Sequence, residues 1–333
     1  MARSASAART LVLARLRPAV RLPATALLTA CAMWSIARLT GADKVPLLAG
    51  LLIPVLAFTP YAAVGSLVAI VYAAALRRWA ATGVAVAVAV IFAATVLPRA
   101  VGTPAPVAKG PLLRVLTANL RFGHADAKTL VDLVRRRQVD LLNVEEFTSQ
   151  AAAAFDRAGL AALLPYKIIA PMNGASGSGL YSRYRLRGRP MPPLSITGLA
   201  MPHADMDVPG SGGAVEVMAV HLARPLNPAG VAQWGRGFSW LPTGSSGAGV
   251  RVIAGDFNAT LDHAPLRELL RGGYVDAADA TGTGLIPTFR KRLWPPVTID
   301  HVLADARCAV RQVAVYHLPN SDHRALFAAL RLP

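Results

Sequence analysis

Several short stretches of this chain put a carboxylate, an amide or an imidazole where an apolar run stops. The clearest is Val252-Ile-Ala-Gly-Asp-Phe-Asn-Ala-Thr260, in which β-formers run into Gly255, and Asp256 and Asn258 follow two residues apart. In extended backbone that spacing projects both side chains to one side. A carboxylate beside a carboxamide can hold a water or a divalent cation while the amide donates to a phosphate oxygen. An isolated Gly-Asp-x-Asn reads equally well as an Asx-rich turn, so the other stretches decide.

Those stretches repeat the pattern. Leu113 to Ala118 reads as a strand ending at Asn119, and Asp140 to Phe147 as a second strand carrying the adjacent carboxylates Glu145 and Glu146. Because neighbouring strand residues point to opposite faces, only one of that pair is expected in a given site. Val215 to Val220 leads to His221, Val297 to Leu303 carries Asp300 and His301, and Asn320-Ser-Asp-His323 precedes a closing strand from Leu326 to Leu330. Amphipathic or apolar helices are expected over Lys128 to Gln138, Val231 to Leu241 and Pro265 to Leu270. Arg183, Arg185, Arg187 and Arg189 recur at period two, as on the solvated face of an edge strand or on a phosphate-facing stripe. Arg290, Lys291 and Arg292 form a second basic run.

Composition separates these stretches from the amino-terminal part. Only Asp43 among the 18 acidic residues precedes residue 100, so the first hundred residues carry +9 and the remainder +8. The apolar excess also lies in the first hundred, which implies a membrane region followed by a globular part large enough for its own core. Residues 1–21, with five arginines, read as a cytoplasmic segment. Residues 22–98 read as a membrane region with about three transmembrane helices, at Leu22–Ala37, from Pro54 or Pro60 to Leu76, and at Ala80–Leu97. A cleaved signal peptide is the alternative for the first of them. Residues 99–111, rich in Gly and Pro, form a linker to a domain at 112–333. Two cysteines, Cys31 and Cys308, allow neither a disulfide framework in the globular part nor a cysteine-ligated zinc site.

Taken in order, Asn119, Glu146, His221, Asp256-x-Asn258, Asp300-His301 and Ser321-Asp322-His323 resemble the endonuclease/exonuclease/phosphatase superfamily, which includes deoxyribonuclease I-like enzymes. The resemblance covers about Leu112 to Leu332. It implies an α/β fold, a four-layer α/β/β/α sandwich, with a divalent-metal site at one end of the sheets. It further implies Glu146 and Asp322 as acidic metal-site groups arranged by Asn119, and Asp256 as the group that orients or activates water. Asn258 and His221 would contact the scissile phosphate, with His323 beside it held by Asp300. Arg183 is a further candidate for substrate binding. Glu145 stands where many members carry Gln, and Arg121 where some nucleases carry an aspartate.

Hard oxygen ligands make Mg²⁺ the expected cofactor, with Mn²⁺ or Ca²⁺ as alternatives. The expected activity is hydrolysis of phosphodiesters, slightly favoured as nuclease-like over a lipid-headgroup or inositol-phosphate esterase. The expected partners are accordingly a phosphoester substrate, nucleic acid or phospholipid, and the membrane. A non-catalytic membrane-tethered binding module is the third reading. The sequence leaves the oligomeric state open. The arginines before the first span and Arg77-Arg78 after the second belong on the cytoplasmic side, so the domain is expected outside the cell membrane as part of a multi-pass protein. Reporter fusions after Gly102 test this: alkaline phosphatase should be active there and green fluorescent protein dark, whereas the reverse pair of results places the domain in the cytoplasm.

Overall fold

The computed structural model describes residues 25–244 and 249–333. The amino-terminal arginines, the start of the first apolar stretch and the middle of the Gly/Ser loop before Val250 lie outside the described residues. Two compact units emerge, one containing Phe58–Leu97 and the described residues up to Ala42, the other Asp43–Ala57 and Pro98–Pro333.

The first unit is helical: α1 (Thr25–Thr40), α3 (Thr59–Ala75) and α4 (Trp79–Val96). Cys31, Val88 and Phe92 pack together with Trp34, Ala62 and Ala63, and the Trp34 indole donates to the Thr59 hydroxyl at 3.0 Å. Val64, Leu67, Val68 and Val71 remain exposed on α3. Among the described residues one helix, Trp79–Val101, is long and apolar enough to cross a bilayer. α2 (Pro46–Leu56) and α3 reach that length only if the sharp break between them is counted as part of one span, and α1 is shorter. Prolines explain the interruption, since Pro46 and Pro60 each open a new helix in its first turn, where a missing N–H costs nothing. Of the three or so expected spans, Ala80–Leu97 falls on the continuous apolar helix, and the other two fall, among the described residues, on shorter pieces. α2 itself belongs to the globular unit, where Ala49 and Ile53 pack against Trp234, Leu266 and Leu269.

In the globular unit β1 (Leu112–Asn119), β2 (Leu141–Glu145), β3 (Tyr166–Ala170), β4 (Ser178–Ser182), β11 (Ala309–His317) and β12 (Arg324–Arg331) form one sheet, ordered β11-β12-β1-β2-β4-β3. β5 (Leu186–Arg189), β6 (His203–Met206), β7 (Val215–His221), β8 (Val250–Asp256), β9 (Tyr274–Asp276) and β10 (Asp300–Asp305) form the other, ordered β5-β6-β7-β8-β10-β9. β1 with β2 and β7 with β8 are parallel, and the remaining neighbours are antiparallel, so both sheets are mixed.

Alternation along the strands builds the layers. Leu113, Val115 and Leu141 of the first sheet meet Val217, Ala219, Val252, Ala254 and Val302 of the second in a core between the sheets. The opposite phase of the first sheet, Leu116, Ala118, Leu142 and Val144, packs under α6 (Ala127–Arg137) and α7 (Ser149–Arg157) through Leu130, Val134 and Phe155. Met218, Val220, Ile253 and Leu303 pack likewise under α10 (Pro228–Trp240) and α11 (Ala264–Arg271). Four short helices complete the unit besides a 3₁₀ turn at Ala42–Lys44: α5 (Pro98–Val101), α8 (Leu160–Leu163), α9 (Leu194–Thr197) and α12 (Ala277–Ala280). The result is the expected α/β/β/α sandwich. β5 is an edge strand, and its Arg187 and Arg189 are spent on Asp207, Asp205 and Glu216.

At the end of the second sheet remote from Asp256, Glu216 accepts from the Arg251 guanidinium at 2.8 Å and pairs with His203 at 2.9 Å. Burial alone would raise its pKa, but His203 and the Arg251 and Arg189 charges hold it down at about 2. A depressed carboxylate stabilises the fold fully above its ordinary pKa near 4.5 and loses that contribution as pH falls through about 2. Glu216→Gln should therefore lower the melting temperature of the full-length protein at pH ~7 and converge on the parent toward pH ~2. A constant difference in melting temperature across that range would refute the pairing as its source.

Candidate active site

The core-facing phase of five strands turns polar at one end of the sandwich. Asn119 continues Leu113 and Val115 on β1, and Glu145 continues Leu141 on β2. On the other sheet His221 continues Val217 and Ala219, Asp256 continues Val252 and Ala254, and Asp300 precedes Val302. Strand register sets these groups side by side: His221 lies opposite Asp256, Asp256 opposite Asp300, and Asn119 opposite Glu145. All five are buried.

Asp256 is the hub. Its Oδ2 accepts from Asn119 Nδ2 at 3.0 Å, across the gap between the sheets, and lies 3.7 Å from His323 Nε2 and 4.0 Å from His221 Nε2. Its Oδ1 accepts from the Asn258 backbone N–H at 2.9 Å, and the Asn258 amide is anchored by donating to the Leu222 carbonyl at 2.8 Å. Gly255 makes this placement possible. It has φ 151°, and a Cβ there would stand 1.8 Å from the Val220 carbonyl oxygen of the parallel neighbour β7.

His323 is oriented from the other side. Both oxygens of Asp300 lie within 3.1 Å of its Nδ1, which fixes the ring with Nε2 toward Asp256. Asp300 is held by its backbone N–H, which donates to Thr288 Oγ1, and the Phe289 ring lies 4.8 Å from the imidazole. The Ser321 hydroxyl donates to the Asn119 carbonyl and accepts from the His323 N–H, tying the His323 loop to β1. Burial would lower the His323 pKa, but the charges of Asp300 and Asp256 raise it well above the ordinary imidazole value. His221 goes the other way: burial, then the His323 and Arg224 charges, lower it to about 3. The Ala175 backbone approaches its ring, but Nδ1 makes no hydrogen bond of normal geometry. Near neutral pH one imidazole is thus cationic and the other neutral. Burial, with Asp300 adding and His323 opposing, pushes Asp256 above the usual carboxylate range.

The two adjacent glutamates depart from the expectation that only one enters the site. Glu145 keeps the strand phase, accepting from the Thr117 hydroxyl at 3.0 Å with its other oxygen unpartnered. Burial first, then Asp300 and Asp256, raises its pKa strongly. β2 ends there, and Glu146 takes a left-handed φ of 52°, which breaks the alternation and returns its carboxylate to the same region. Glu146 Oε1 lies 3.4 Å from Asn119 Nδ2, and Oε2 accepts from the Phe122 N–H at 2.8 Å. Arg121 and Phe122 also have positive φ, and their successive N–H groups serve Asn119 and Glu146. Left-handed non-glycine residues at four points around the site mark backbone held there by its surroundings, Asn258 being the fourth.

Two expected residues lie elsewhere. Asp322 stands at the rim, with a half-buried side chain 3.9 Å from Arg121 Nε, though its charge still reaches His323. Arg183 follows β4 at the far end of the sheet: Ser178 pairs with Glu145, but Ser182 pairs with Leu141, and Arg183 binds Asp140 at 2.9 Å. A strand of that length carries it about 13 Å or more from the site, so it is a structural ion pair rather than a substrate contact. Thr288, Phe289 and Asn143 serve the site with no signal of their own in the sequence pattern. Asn143 shares the inward phase with Glu145 and donates to the Met218 and Ala254 carbonyls of the opposite sheet.

The donor set fits a divalent cation. Glu145, Glu146, Asp256 and Asp300 place four carboxyl groups against two imidazoles, and among the described residues the only buried arginine or lysine, Arg99, is paired with Asp262. Asp256, Asp300 and His323 each offer a ligand atom within 4.8 Å of the others, but Asp300 and His323 already satisfy each other. Glu146, Asn119 and Asp256, with the unpartnered oxygen of Glu145, are the oxygen-bearing groups that would remain to hold such an ion.

A sequence model of the Endonuclease/Exonuclease/phosphatase family matches residues 116–323, a span that holds every one of these groups. The chain belongs to that family. As a member it is a hydrolase acting on phosphoester bonds. Among solved structures the domain resembles an AP endonuclease from Archaeoglobus fulgidus at 15% identity and TM-score 0.51, over 65% of this chain and 98% of the other. It also resembles a family protein from Leptotrichia buccalis C-1013-b at 13% identity and TM-score 0.50, over 66% and 99%. The third is TDP2 from D. rerio complexed with a single-strand DNA product, at 12% identity and TM-score 0.50, over 66% and 98%. At these identities the likeness establishes the shared fold. No curated protein matches the sequence.

Within this endonuclease/exonuclease/phosphatase domain, Gly255→Ala should displace β8 from β7 and move Asp256 off His221. A loss of at least ~2 kcal/mol in denaturant unfolding is expected, from backbone strain and overpacking together. Parent-like stability in that variant would show that the close approach is not needed.

Proposed function

We propose that the protein is a membrane-anchored, divalent-metal-dependent phosphodiesterase in which a water attacks phosphorus directly. The observation that carries this reading is the Asp256 carboxylate held between a cationic and a neutral imidazole and oriented by two amides. A bound Mg²⁺, or Mn²⁺ or Ca²⁺ in its place, would be held by Glu146 and Asn119 beside Asp256 and would supply positive charge for the phosphate oxygens. Asp256, raised in pKa by burial, accepts the proton of the attacking water. His323, kept protonated by Asp300, faces the developing negative charge. Neutral His221 and the remaining N–H of the Asn258 amide hold the phosphate without competing for the proton. The buried end excludes bulk water, which strengthens each of these contacts.

Membrane anchoring rests on the apolar helices of the first unit, with their exposed Leu and Val faces. The absence of thiolates from the site accords with hard-metal chemistry. The retained set of acids and histidines speaks against a purely binding role.

Glu146→Gln and His323→Ala should each lower the rate on a generic soluble phosphodiester by at least about 10²-fold with Mg²⁺ present. Hydrolysis at the parent rate by both purified variants would discard the mechanism. Titration with Mg²⁺ should show saturable binding in the parent and weaker binding in Glu146→Gln.

A further inference from the structure

The globular unit is continuous with the apolar helices at three points of the chain: it begins at Asp43, breaks off after Ala57 and resumes at Pro98. Near each of those three junctions the unit makes a buried polar contact of its own, and all three land on consecutive residues. Asp43 Oδ2 accepts from the Ala264 N–H at 2.8 Å at the start of α11. His263 Nδ1 accepts from the Thr260 N–H, so its Nε2 carries the proton and donates to the Ile53 carbonyl at 2.8 Å, four residues before Ala57. Arg99 forks onto both oxygens of Asp262 at 2.6 and 2.8 Å. Asp262, His263 and Ala264 follow Asn258 by four to six positions, on the turn that leaves β8 at the site end of the sandwich. Asp262 and His263 are buried, and a fork of this kind is rigid. The three points at which the chain enters or leaves the globular unit are therefore pinned near its catalytic end.

The same end carries side chains suited to a lipid surface. Between Phe289, whose ring packs on His323, and Val297, which pairs back with Phe289, the loop exposes Lys291 and Arg292 after Arg290, followed by Leu293 and Trp294. Leu293 is 89% exposed and the adjacent Trp294 58%. The Arg290 N–H donates to the Asp322 carbonyl, next to His323, so this loop begins at the site wall. Leu226, 74% exposed, stands on the loop after His221, close to the exposed Arg224 whose charge acts on that histidine. Cations with a leucine and a tryptophan at one tip match an interface of anionic headgroups over acyl chains. A polyanion groove would instead need cations along a track, and three of the four arginines of the other basic run, Arg183, Arg187 and Arg189, are engaged in ion pairs.

The geometry points to a membrane phospholipid as the substrate, engaged through the Arg290–Trp294 loop. This rests on the phosphodiesterase reading above and reverses the order in which sequence alone ranks nucleic acid and lipid. In the reaction the water oxygen bonds to phosphorus, one phosphorus–oxygen ester bond of the headgroup breaks, and the departing oxygen takes a proton.

The test uses full-length protein with Mg²⁺ in mixed micelles of detergent, phosphatidylcholine and phosphatidylglycerol, with phosphorus NMR as readout. A soluble glycerophosphodiester, a generic soluble diester and single-stranded DNA are run in parallel. Phospholipid should be cleaved at least about tenfold faster than the matching soluble headgroup diester, and the double variant Leu293→Asp, Trp294→Asp should reduce that ratio at least about tenfold. The variant's rate on the generic diester reports whether its site is still formed. Cleavage of DNA or soluble diesters without phospholipid overturns the lipid assignment and leaves the phosphodiesterase reading standing. A parent inactive on every substrate sinks that reading itself, and with it this one. An unaltered ratio in a variant active on the generic diester removes the loop from recognition.

Discussion

Burying carboxylates between two sheets is expensive, and the architecture of this domain is arranged around making that burial tolerable at one end only. A charged group removed from water costs several kcal/mol or more unless partners replace its hydration. Asp256 has them: an amide from the facing sheet, a backbone N–H from its own turn and two imidazoles within 4.0 Å. Each imidazole depends on a register, His221 on the parallel β7–β8 pairing and His323, held by Asp300, on the antiparallel β8–β10 pairing. Asn119 depends on the spacing of the sheets, which Leu113, Val115, Val252 and Ala254 set by filling the gap below it. Asn143 adds a polar tie one step down, from β2 to the carbonyls of Met218 and Ala254.

Much of this is legible in the residues because the inward phase of a strand is simple to follow. Val252, Ala254 and Asp256 stand in one row, as do Val217, Ala219 and His221, so the polar residue that ends an apolar row must face where the row faces. Sequence pattern misleads where that rule lapses. Glu146 leaves the row by a left-handed turn, and nothing in Glu145-Glu146 announces it, so both carboxyl groups arrive where one is expected. Arg183 is misplaced because a strand's residues do not say at which end of the sheet they finish until β4 is paired antiparallel to β2. Short strands such as β6 and β9 escape altogether, being held by their neighbours more than by their own propensity.

The amino-terminal part shows the same limit from another side. Proline-punctuated apolar sequence reads as membrane-embedded whatever it packs against, and α2 is apolar on every face. Its small Ala49 and branched Ile53 nevertheless fit over Trp234 and Leu266, so a helix counted as membrane by composition packs on α10 and α11, the helices that cover the second sheet. Composition measures how much apolar surface a segment has, and only packing shows which neighbour removes it from water.

The sheet order has a consequence for how such a chain is made. β1, at residue 112, finds its partners in β2 and in β12, which ends at residue 331, and Asp43 meets Ala264 across a separation of 221 positions. Contacts so distant along the chain form late, because the loop they close must be ordered before they reward it. While synthesis proceeds, β1 has one bare edge and α2 waits for α10 and α11 to pack against, so the domain closes only when its last strand arrives. The carboxylates of the active site therefore remain solvated through most of synthesis and become buried only when β12 brings His323 against Asp300.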